Sequence, residues 1–171
     1  MSAPAKRQYK APIEGQPLMT VIVSGCKTPV LDVKFSNLIK PFFYPNSPSV
    51  PRYSITCAID PQEHASFLEY ILGVEKSEKV ESVIKNETTK ADNHYVQTGK
   101  VILKFQSKNK IPVFVIEGKN APEEIELQDE LARGEKVYIM YDILRYTKKN
   151  SVKVEHGISF KPTSIYYIPK E

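Results

Sequence analysis

Apolar positions along this chain recur mostly with a period of two, and in one place with a period near 3.6. Thr20 to Gly25 (TVIVSG) is a short apolar run, Val30 to Lys40 sets Val33 and Phe35 against Asp32 and Lys34, and Arg52 to Ile59 (RYSITCAI) resumes the alternation. Gly99 to Gln106 (GKVILKFQ) and Ile111 to Ile116 (IPVFVI), joined by Ser107-Lys108-Asn109-Lys110, read as a hairpin with a basic tip. Lys136 to Tyr146 and Val152 to Ile168, around the basic turn Thr147 to Ser151, read as a second, closing hairpin. The exception lies after Asp60-Pro61-Gln62-Glu63, a helix start in which Asp60 caps, Pro61 suits the first turn and Glu63 reaches back to a free amide. Phe67, Leu68, Ile71 and Leu72 then fall on one helical stripe, with Gly73 as the stop.

Other segments are less regular. Pro41 to Pro51 places four prolines around Phe42, Phe43 and Tyr44, so it predicts an irregular loop that displays aromatic rings. Val74 to Thr98 is charged, and Val80, Val83 and Ile84 allow one more helical stretch before a polar loop. Glu117 to Arg133 is acidic, with a helical turn expected around Leu127 to Ala132. About seven strands and one helix between the third and fourth of them point to a mostly β protein. The expected architecture is an OB-fold-like antiparallel barrel with additional strands, which closes on itself and so leaves few open edges.

A length of 171 residues fits one domain. Residues 1–17, rich in Ala, Pro, Lys and Gln, are expected to form a flexible basic arm, and residues 18–171 the single domain. The net charge of +4 is mild, but Glu117, Glu123, Glu124, Glu126, Asp129, Glu130 and Glu135 crowd one segment, which leaves the remaining surface more cationic. Cys26 and Cys57 have no metal-ligand spacing and are expected to be buried, reduced thiols. With no signal-peptide pattern and no apolar run long enough to span a bilayer, the expected setting is cytoplasmic, with no membrane association.

Catalysis has little to rest on. His64, His94 and His156 have no spacing to a carboxylate or thiol, and no Gly-rich phosphate loop occurs, so no catalytic residue, metal or cofactor is expected. Rings and cations do intermix in the last third of the chain, at Tyr138, Tyr141, Arg145, Tyr146, Lys148, Lys149, Lys153, His156, Phe160, Lys161, Tyr166 and Tyr167. Single strands of nucleic acid offer unpaired bases to stack and phosphates to neutralise. Rings inside regular strands go mostly to the core, whereas those beside loops or cations are candidates for stacking. The predicted contact set is Lys34, Phe42, Phe43, Tyr44, Arg52, Tyr53, Lys100, Lys104, Lys108, Lys110, Arg145, Tyr146, Lys148, Lys149 and Lys153.

Several short patterns also carry a family likeness: Arg52-Tyr53 entering a strand, Asp60-Pro61 opening the helix, Gly99-Lys100-Val101, Arg133-Gly134 approaching the strand with Asp142, and Gly157-Ile158-Ser159-Phe160. On these the chain resembles the OB-fold single-stranded-DNA-binding proteins of tailed bacteriophages. The resemblance implies coating and protection of unpaired DNA without strong sequence preference during phage replication or recombination, in the host cytoplasm. Partners would then be single-stranded DNA and other replication or recombination proteins. Several relatives recruit partners through an acidic C-terminal tail, and the ending Ile168-Pro169-Lys170-Glu171 does not carry that expectation over. Two other readings stay open: an OB-fold adaptor that docks a protein through Pro41 to Pro51, and a binder of single-stranded RNA.

Overall fold

The computed structural model describes residues 18–42, 51–149 and 154–170. The elements in chain order are β1 (Leu18–Lys27), β2 (Leu31–Phe42), β3 (Arg52–Ile59), α1 (Ala65–Glu78), β4 (Lys85–Ala91), β5 (His94–Ser107), β6 (Val113–Val115), β7 (Glu123–Ile125), β8 (Lys136–Lys149) and β9 (Val154–Ile168). The fold is mostly β as expected, with nine strands among the described residues where the alternation suggested about seven. Strands β2, β3, β5, β9 and β8 pair in succession, and β8 returns to β2 through Leu31–Val137 and Asp32–Lys136, so five strands close a ring. All these pairings are antiparallel except β5 with β9, which run parallel at Phe105–Phe160. This is consistent with an OB-like fold, and the helix lies between the third and fourth strands as predicted.

The ring closes because one parity of each strand is apolar. Ile55, Cys57 and Ile59 on β3 meet Leu103 and Phe105 on β5, while Val137, Ile139, Tyr141 and Ile143 complete the interior from β8. Phe105, Tyr141 and Phe160 pack edge to face, with ring centroids 5.3 to 5.8 Å apart. Each such side chain contributes about 1.5–3 kcal/mol by leaving water. Cys57 is buried and Cys26 only half-buried, and both are free thiols.

Five local expectations fail. Helix α1 runs through Gly73 and ends where Lys79 adopts a left-handed conformation (φ 58°), letting the Val80 amide reach the Glu75 carbonyl at 3.1 Å. The Asp60 side chain accepts the Gln62 amide at 2.9 Å in the turn before the helix, whose N-cap residue is His64. Val80 to Ile84 is not helical: the buried Glu75 carboxylate takes the Ser82 hydroxyl at 2.9 Å and the Val83 amide, and the chain then turns into β4. Strand β5 does not form a hairpin with Ile111 to Ile116. It pairs with β3 and β4, while β6 lies parallel to β9 and antiparallel to β7. Leu127 to Ala132 holds no helical turn, because its contacts are long-range: the Glu130 carboxylate accepts the Ser36 hydroxyl and the Ile39 amide, each at 2.9 Å, and Leu131 enters the core.

Candidate nucleic-acid interface

Residues paired across adjacent strands project from the same face of a sheet, so the register fixes what the outer face of β2, β3, β5 and β4 carries. Its rows are Phe42–Arg52, Asn37–Ser54–Gln106, Phe35–Thr56–Lys104 and Asp32–Ala58–Ile102–Lys85. Lys136 on β8 continues the last row beyond Asp32. The central strand β3 contributes the small residues Ser54, Thr56 and Ala58, and longer side chains rise on both sides. The result is a trough along β3, and the hydroxyl of Thr56, buried in its floor, has no partner among the described residues.

Phe35 faces this trough because of a bulge. The register shifts between Val33 and Phe35, so Val33 enters the core opposite Cys57 while Phe35 turns outward opposite Thr56. Both Phe35 and Phe42 are 47 % exposed, a large apolar area left in water that folding alone does not require.

Positive charge gathers around these rings. Burial and the neighbouring charges of Arg52 and Lys85 all push the Lys104 ammonium below its ordinary pKa. Like charges so placed repel one another, and an anion lying among them would relieve that cost. Towards the other end of the trough the charges are compensated. Asp32 pairs with Lys136 and, at 4.0 Å, with Lys100. Glu87, 1 % exposed, lies 3.4 Å from Lys34 and 3.2 Å from Arg133. Burial alone would raise the Glu87 pKa; hydrogen bonds from Arg133 and Thr98, with the charges of Arg133 and Lys34, outweigh it and bring the group down to about 2.

Of the predicted contact residues, Phe42, Arg52 and Lys104 therefore stand on one face, with Lys34 and Lys100 tied to carboxylates beside them. Others lie elsewhere. Tyr53 packs against the core, Lys108 is exposed just beyond β5, and Lys110 pairs with Glu126 at 2.9 Å. Arg145 shares the interior face with Ile158 and lies 3.9 Å from Glu78 of the helix. The ring of Tyr146 lies over Gly157, so close that a Cβ there would sit 2.3 Å from the phenolic oxygen. Lys148 and Lys149 end β8 with side chains outside the description, and Phe43, Tyr44 and Lys153 lie outside the described residues.

Among the rings of the last third, Tyr141 and Phe160 are core. Tyr138 and Tyr166 meet at 4.5 Å with their planes tilted by 31°, Phe114 stacks on Tyr166 at 5.1 Å, and Lys27 lies over Tyr138. The trough residues that the predicted set omits are Phe35, Lys85, Gln106, Arg133 and Lys136. Of these only Gln106 lies on β5, where Lys100, Lys104 and Gln106 mark one parity as polar with Ile102 interrupting it; the bulge in β2 conceals Phe35.

No family model and no curated protein matches the chain. Solved structures do. A C-terminally truncated single-stranded DNA-binding protein from bacteriophage Enc34 aligns with a TM-score of 0.60 at 14% identity, covering 89% of this chain and 97% of that one. The Enc34 protein in complex with single-stranded DNA aligns at 0.57 and 16% identity, covering 88% and 97%. Gp2.5, the single-stranded DNA-binding protein encoded by bacteriophage T7, aligns at 0.55 and 10% identity, covering 85% and 92%. At these identities the likeness is one of fold.

Proposed function

We propose that this chain is a single-stranded DNA-binding protein that coats unpaired DNA, without strong sequence preference, during phage DNA replication or recombination. One observation carries the reading: Arg52, Lys85 and Lys104 converge on the face that also exposes Phe35 and Phe42. Backbone phosphates neutralise the cations, and unpaired bases stack on the rings at about 1–3 kcal/mol each. Duplex DNA is the poorer ligand, since its bases already stack on one another. The shared fold with phage proteins named for this activity, one of them bound to single-stranded DNA, supports the same reading. The trough residues act by binding alone and no chemical step is assigned to them. No described helix is long and apolar enough to cross a membrane, and it is the proposed work on phage DNA that sets the protein in the host cytoplasm.

The test is a titration of labelled oligodeoxythymidine against the same length of duplex, at low and moderate salt. The proposal expects tight, salt-sensitive binding to the single strand and weak binding to the duplex. Equal affinity for both, or no binding at low salt, refutes it. A matching oligouridine arm reports whether RNA is accepted.

A further inference from the structure

The β4–β5 hairpin reaches beyond the core. No residue between Lys85 and Lys100 belongs to the hydrophobic cluster, and in that stretch only Glu87 is buried. A two-stranded arm of this kind is marginal by itself and needs anchoring. Its tip nevertheless carries Tyr95, 72 % exposed, with Lys90 directly across the ladder, Val96 beside it and Gln97 two positions on. An exposed ring paired with a cation on an arm without packing duties is placed for a ligand.

Glu87 sets where that arm lies. Arg133 precedes β8 beside Val33 of β2, and Lys34 lies on β2 itself, so β3 and β5 stand between both cations and β4 along the outer face. The Glu87 carboxylate nonetheless touches both Arg133 and Lys34. The arm must therefore lean across the outer face. Gly99, at φ 87°, and the register shift between Asn86 and Thr88 supply the bend.

We infer that the β4–β5 hairpin is a second nucleic-acid contact, in which Tyr95 stacks on an unpaired base beyond the trough and Glu87 is the positioning residue that pins the arm across it. This rests on the single-strand binding proposed above. It extends the contact from the sheet face to an arm, and it places Lys34 and Arg133 in service of arm placement before they meet phosphate.

Anisotropy titrations of oligodeoxythymidine with the full chain test it. Tyr95→Ala should weaken binding roughly 5- to 150-fold, the loss expected for one stacked base, with the salt dependence unchanged because no cation is removed. Tyr95→Phe should restore affinity to near the parent. In a Glu87→Gln background, where the arm is unpinned, Tyr95→Ala should cost much less, and the salt slope of Glu87→Gln alone should steepen as Lys34 and Arg133 become open to phosphate. Wild-type affinity in Tyr95→Ala overturns the inference, and Lys104→Ala then separates the cases. Weaker binding with a shallower salt slope in Lys104→Ala leaves the trough reading standing while the arm is excluded. Should the parent protein itself not bind, both fall together. If Glu87→Gln fails to fold, Tyr95→Ala and Tyr95→Phe decide by themselves, since position 95 is exposed.

Discussion

Replacing Glu87 with glutamine keeps the side-chain shape and removes one charge from a site where the carboxylate meets Lys34, Arg133 and the Thr98 hydroxyl. Its pKa falls from an ordinary 4.5 to about 2 in the folded protein. A depression of that size corresponds to at most about 3 kcal/mol of stability. Arg133 is largely solvent-exposed and remains well hydrated when the pair is broken, so about 1–2 kcal/mol is the realistic loss at pH 7. Because the folded-state value is the lower one, the stabilisation is complete above pH 4.5 and disappears as pH falls towards 2. At a pH of about 3 somewhat more than half of it is already gone. Urea unfolding of the parent and Glu87→Gln proteins at both pH values measures this directly. The gap between them should be clear at neutral pH and should shrink to well under about 1 kcal/mol in acid. An equal gap at both pH values would show that the variant acts through shape or packing and that the ion pairs contribute nothing.

Gly157→Ala should destabilise the fold by about 1–2 kcal/mol, since the new methyl group meets the Tyr146 ring; combining it with Tyr146→Ala should cost less than the sum of the two, as measured by chemical denaturation. Phe160→Ala should cost about 3–5 kcal/mol by opening the edge-to-face trio with Phe105 and Tyr141, visible as a large drop in thermal midpoint. In the native protein at pH 8 a thiol reagent should modify Cys26 first, because burial, reinforced by the charge of Asp32, pushes the Cys57 thiol up to about 12; Cys57 should react only on unfolding, and equal rates would place it outside the core.

The parts of the fold that sequence pattern discloses are those in which one face is buried and the other wet. Leu68 and Ile71 mark the helix, the alternation of Leu103 and Phe105 with Lys104 marks β5, and Val137, Ile139, Tyr141 and Ile143 mark β8. Continuing that last parity one step places Arg145 inside, next to Ile158 and near Glu78, even though its charge suggests the surface. Residue type and strand parity disagreed there, and parity prevailed. Between Lys85 and Lys100 the β4–β5 hairpin shows no apolar alternation because only Glu87 of that stretch is buried, so its polar sequence is indistinguishable from a loop. Phe35 was hidden by a bulge, which leaves no mark on hydrophobic pattern but reverses every side chain beyond it. The pairings of β6 with β9 and of β5 with β9 join segments far apart in the chain, and local turn chemistry points instead to the nearest neighbour. The basic trough was only partly legible for the same reason. Its cations were visible as residues, but their convergence depends on the register of four strands.

The central claim is that phosphates lie among Arg52, Lys85 and Lys104 while bases stack on Phe35 beside them. Measuring the salt dependence of oligodeoxythymidine affinity for the parent, Lys104→Ala and Phe35→Ala tests both halves in one experiment. Lys104→Ala should weaken binding and make the log–log salt slope shallower by about 0.7, the share of one phosphate on a single strand. Phe35→Ala should weaken binding by an amount equivalent to about 1–3 kcal/mol and leave the slope as it was. Parent-like affinity and slope in both variants would contradict the account, because DNA would then be bound on some other face.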